Sequence, residues 1–75
     1  MILWRLRGYT DPDGEYEGGV TECAIERAAD GYRLLVVHDG NVQADERHAE
    51  IEAARAKAEM LRSELIGLGW SDVQS

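Results

Sequence analysis

Three residues in this chain belong to the types that carry metal or covalent chemistry: Cys23, His38 and His48. A thiolate with two imidazoles is a soft ligand set, and a thiolate beside one imidazole is a nucleophile with its base. Both uses need more than the residue types. Structural zinc sites in small chains take clustered Cys/His pairs, and here the single cysteine stands alone. A nucleophilic cysteine needs a third group to orient its base, but Asp39 and Glu22 each sit one position from His38 and Cys23. On a strand, that places them on the opposite face. Buried cysteine commonly acts as a small apolar filler. The reading is therefore no catalytic residue, no cofactor and no metal.

A second pattern is Asp11, Asp13, Glu15 and Glu17 at alternate positions with Gly14 between them, which has the start of an oxygen-rich calcium loop. Counted from Asp11, Glu22 falls at the twelfth position as such a loop requires. Tyr16 holds the sixth, where the sharp turn needs glycine. The same residues suit an acidic, solvated hairpin, and that is the reading taken.

The chain has 75 residues and a formal charge of −7, and residues 11–30 hold seven acids against Arg27 alone. Nucleic-acid affinity rests on Lys and Arg displacing counterions from phosphate, so this balance argues against direct binding of DNA or RNA. It does suit imitation of nucleic acid. Asp11, Asp13, Glu15, Glu17, Glu22 and Glu26 would then form an acidic surface that occupies the basic groove of a nucleic-acid-binding protein.

The elements that position these groups can be read from turns and periodicity. Asp13-Gly14, Asp30-Gly31 and Asp39-Gly40 each lie between runs rich in β-branched, aromatic or aliphatic residues and read as hairpin turns. The expected fold is α+β: a three- to four-stranded antiparallel meander followed by one long C-terminal helix packed on one sheet face. Residues 1–75 are read as a single domain, with strands at about 2–10, 15–28, 32–38 and 41–45, a helix at about 46–66 and a tail at 71–75. Gly18-Gly19 weakens the second strand and leaves strand order beyond it open.

With Asp30 and Gly31 as the turn, Ile25 pairs with Val36 and Cys23 with His38. With Asp39 and Gly40 as the next, Val42 pairs with Val37 and Ala44 with Leu35. Both faces of the third strand are then apolar. In the helix, Ile51, Ala54, Ala58, Leu61, Leu65 and Leu68 line one side with Met60 beside them, and Gly67 or Gly69 ends it. Trp70 is expected to fold back on the sheet edge.

One helix covers one face. Either Leu35, Val37 and Val42 with Ala24, or Ile25, Leu34 and Val36, stay in water as an apolar patch of the kind soluble monomers avoid. A chain this short buries only about 60% of its unfolded surface, so self-association would help it. The two-fold contact runs either sheet to sheet or helix to helix through the heptad spacing. One sheet and one helix also leave little room for a pocket of ~300 Å³ or more, which speaks against an enzyme.

Trp4-Arg5-Leu6-Arg7-Gly8-Tyr9 with the Asp-Gly turn after it resembles the first hairpin of the arm-binding domains of phage integrases, three-stranded sheets with a C-terminal helix that grip DNA. The later strands lack the basic residues that this role requires. The functional expectation is a noncatalytic interaction or accessory module of bacterial or phage origin that partners itself or another protein. An acidic nucleic-acid mimic is the alternative, and an enzyme or metal-binding protein comes third. The apolar start, Met1 to Trp4, is broken at once by Arg5 and Arg7, too short for a signal peptide or membrane span; a cytoplasmic setting with no membrane partner is expected.

Overall fold

The computed structural model describes residues 1–8 and 19–73. Four antiparallel strands, β1 (Ile2–Arg7), β2 (Val20–Ala28), β3 (Gly31–His38) and β4 (Asn41–His48), precede one helix, α1 (Ile51–Gly67). A two-residue strand, β5 (Ser71–Asp72), follows it. The sheet order is β4-β3-β2-β1-β5, a simple meander closed by the C-terminal strand on the far side of β1. The expected first turn at Asp11–Gly14 and the start of a strand at Glu15 lie outside the described residues.

Alternation decides the two faces. Trp4, Leu6, Cys23, Ile25, Leu34 and Val36 are buried and meet Ala54 and Ala58 of α1, so the helix lies on the Cys23 face. The two alanines let the helix backbone come close to the sheet. There the Trp4 indole N–H donates to the Ala58 carbonyl at 3.0 Å, satisfying the one polar atom of a large buried side chain. Ile51, Leu61 and Leu65 pack partly against the same core, whereas Met60 and Leu68 are exposed, Leu68 to 75%. The Ala54 and Ala58 part of the helix stripe is thus buried within the chain.

The helix ends as its glycine suggested, with Gly69 rather than Gly67 as the residue past the end. The Gly69 N–H donates to the Ile66 carbonyl and the Trp70 N–H to the Leu65 carbonyl, each at 3.0 Å, in a Schellman arrangement. Trp70 is thereby turned onto the core and stands edge-on to His38, ring centres 5.8 Å apart.

Three expectations need correction. The β2–β3 turn is Ala29-Asp30, not Asp30-Gly31, so Ile25 opposes Leu34, Cys23 opposes Val36 and His38 opposes Thr21. Gly31 is required for a different reason: a Cβ there would lie 2.5 Å from the His48 carbonyl oxygen, where the end of β4 passes over it. Each partner moves by two positions, which preserves the faces. The second correction concerns β4. Asp39 (φ 48°) and Gly40 (φ 84°) do form the hairpin turn, and Val42 does face Val37, but a bulge at Gln43 then moves Ala44 from Leu35 to Val36 and onto the core face. Third, β4 continues through Glu46 and His48, opposite Leu34 and Tyr32, so the helix starts at Ile51 rather than near 46. Ladder pairing along β3 outweighs the helix preference of Glu46 and Arg47.

Candidate functional site

The face away from the helix is the expected interaction surface, and its side chains form rows across the sheet. Ile2, Ala24, Leu35 and Asp45 make one row; Arg5, Glu22, Val37 and Val42 the next; Glu26, Arg33 and Arg47 a third. Ala24, Leu35, Val37 and Val42 therefore share one face, as the alternation required. Ile2 joins them because a bulge at Leu3 shifts the β1 register, a feature that sequence periodicity alone does not show. Val42 is 61% exposed and Ile2 51% exposed, while Leu35 and Val37 are half-buried by their neighbours without belonging to the core.

Ion pairs frame this apolar centre. Arg5 Nε donates to Glu22 Oε2 at 2.8 Å, Arg33 grips Asp45 with two nitrogens and lies 3.7 Å from Glu26, and Arg47 reaches Asp30 at 3.4 Å. Its hydrogen bond with Arg33 holds the Asp45 carboxyl below the usual carboxylate range. Among the described residues the face and its frame carry Arg5, Arg7, Arg33 and Arg47 against Glu22, Glu26, Asp30 and Asp45, a balance of zero in a chain of −7. Glu22 and Glu26, expected on the acidic surface, thus stand beside arginines. Asp11, Asp13, Glu15 and Glu17 lie outside the described residues.

The three residues with chemical potential are kept apart. Cys23 lies buried under the helix opposite Val36, and burial pushes its thiol up to about 11. At neutral pH it is a protonated filler. His38 Nδ1 lies 2.8 Å from Thr21 Oγ1. His48 is at the opposite end of the sheet, where its Nε2 is shut from solvent 3.6 Å from Glu46 Oε1, too long for a hydrogen bond. Among the described residues, no three of His, Cys, Asp and Glu gather to hold a metal ion, and no helix is long and apolar enough to cross a membrane.

The expectation of no pocket is overturned. A cleft of about 410 Å³ opens between α1 and the β3–β4 corner, floored by Trp4, Val36 and Ala44 and walled by Leu61 and Leu65. Its origin is topological. The helix starts beside the end of β4 and must deliver β5 to the outer edge of β1, so it crosses the sheet diagonally and leaves that corner uncovered. The Gln43 bulge that turns Ala44 inward supplies the floor.

No family model, no curated protein and no solved structure matches the chain.

Proposed function

We propose that this protein is a noncatalytic interaction module that forms a homodimer through the open face of its sheet, Ala24, Leu35, Val37 and Val42 at the centre. The observation that carries the reading is the charge balance of that face. Among the described residues, Arg5, Arg33 and Arg47 are paired with Glu22, Asp45 and Asp30, and the face is neutral overall in a chain of −7. Two copies meeting through any acidic surface would repel, while two open faces meet apolar centre to apolar centre at no such cost. The alternative helix-to-helix contact loses support because Ala54 and Ala58 of the stripe are buried against the sheet.

A four-stranded face spans about 20 Å across, since strands lie about 4.8 Å apart, so the contact belongs to the small end of stable interfaces. Sedimentation equilibrium over a concentration series, at low and high salt, is the test. The expected result is a weak dimer that high salt leaves intact, and that becomes a folded monomer in Leu35→Ser and in Val37→Ser. A monomer at every concentration overturns the reading. Assembly that vanishes with salt would instead favour binding through charge, as an acidic mimic would.

A further inference from the structure

The cleft beside α1 lies on the opposite side of the sheet from the proposed dimer face, and the dimer reading leaves it unused. The geometry points to a binding site there for a largely apolar, non-anionic small molecule that carries one hydrogen-bonding group. At about 410 Å³ the cleft falls within the range of ligand pockets, and its floor and walls are Trp4, Val36, Ala44, Leu61 and Leu65. Two of those residues are leucines of the helix core stripe left only partly covered. A ligand on them would complete burial that the diagonal helix cannot.

Charge selects the class of occupant. Glu46 and Glu64 stand against Lys57 in the lining, a balance of −1, so an anion entering the cleft meets net negative charge. An anion also meets the field of a chain at −7. The remaining polar groups of the lining are the Gln43 amide, the His38 imidazole and the Thr21 hydroxyl, 2.8 Å from His38 Nδ1. They suit a hydroxyl, carbonyl or amide at the end of an apolar body. The second large cleft, about 450 Å³, lies around Arg7 and the exposed β5 segment and lacks such a floor.

The experiment is titration of the full chain with Nile red, a neutral aromatic probe, in parallel with the anionic probe anilinonaphthalene sulfonate. The expected result is saturable Nile red fluorescence with at least tenfold weaker response to the anion. Ala44→Leu places a larger side chain on the floor and should weaken Nile red binding at least tenfold while circular dichroism shows the fold retained. If that variant does not fold, Leu68→Ser at the exposed mouth serves instead, with a severalfold loss. Leu35→Ser must leave the titration unchanged, which separates the cleft from the dimer face. Equal binding by both cleft variants, loss in Leu35→Ser, or an equal response to the anionic probe would overturn the proposal.

Discussion

Leu34 and Leu35 are neighbours in the chain and have opposite fates. Leu34 is almost wholly buried between Ile25 and the helix; Leu35 looks outward between Ala24 and Asp45, half in water. The same contrast holds for Val36 and Val37, so β3 is apolar on both sides and one helix serves one of them. The difference teaches that the two faces do separate work with the same residue types. On the helix side apolar groups hold the chain folded, while on the open side they are surplus to folding, kept in solution by a frame of ion pairs.

The largest expected effect tests that division directly. Leu34→Ala removes a fully buried side chain and should cost about 2–5 kcal/mol, out of roughly 4–11 for a domain of this length. Urea unfolding should show a midpoint lowered by roughly half. Leu35→Ala should leave the unfolding of the monomer within about 1 kcal/mol, its effect falling on association. Equal loss in the two variants would mean that both faces belong to the core.

A second pair compares Gly31, a point of close approach, with Gly40, a turn residue. In Gly31→Ala the new Cβ meets the His48 carbonyl, a backbone atom that cannot swing aside; in Gly40→Ala it meets nothing within 4 Å and only the φ of 84° resists it. The first should lower stability by about 2–4 kcal/mol and the second by about 1 kcal/mol, read from thermal melts. Trp4→Phe ranks beside the second. It keeps most of the apolar volume but leaves the Ala58 carbonyl without its indole donor, at about 1–3 kcal/mol.

The buried thiol sharpens the contrast through pH. Because the folded state raises the Cys23 thiol from 9.0 to about 11, its contribution to stability is complete below pH 9 and is lost as pH rises toward 11. Unfolded chains ionise there and folded chains do not. Chemical denaturation at pH 8 and pH 10 should show that loss in the wild type and a smaller one in Cys23→Ala, while native protein at pH 8 stays inert to thiol reagents.

The architecture was legible from the sequence because the alternation of Trp4 and Leu6 with Arg5 and Arg7 in β1, the Asp39-Gly40 turn and the Ala54–Ala58–Leu65 stripe agree with one another. Face assignment survived a wrong register at Ala29-Asp30 because a shift of two leaves side chains on the same side. What escaped was set by backbone irregularity and tertiary contact. No local signal distinguishes Gly31 as a point of close approach from Gly31 as a turn residue. The bulge at Gln43, which moved Ala44 to the core and floored the cleft, is equally silent in sequence. The helix start was placed too early because Glu46 and Arg47 favour helix locally, while the ladder with Leu34 and Arg33 holds them in β4.

The smallest effect concerns the frame itself. Asp45→Asn breaks the two-nitrogen grip of Arg33, but both groups are exposed, so the stability of the monomer should barely move. What remains of the pair's contribution is present above the ordinary carboxylate range and is lost as pH falls through the lowered value of Asp45. Its consequence for association is larger than for folding. Arg33 keeps only Glu26, at 3.7 Å, and the face gains a net positive charge, so it repels its own copy across a two-fold where a neutral face did not. Asp45→Asn should therefore weaken the dimer at low salt and recover at high salt, whereas Leu35→Ser weakens it at both. If Asp45→Asn leaves the sedimentation profile unchanged at low salt, the ion pairs merely solubilise the face and do not set its partner.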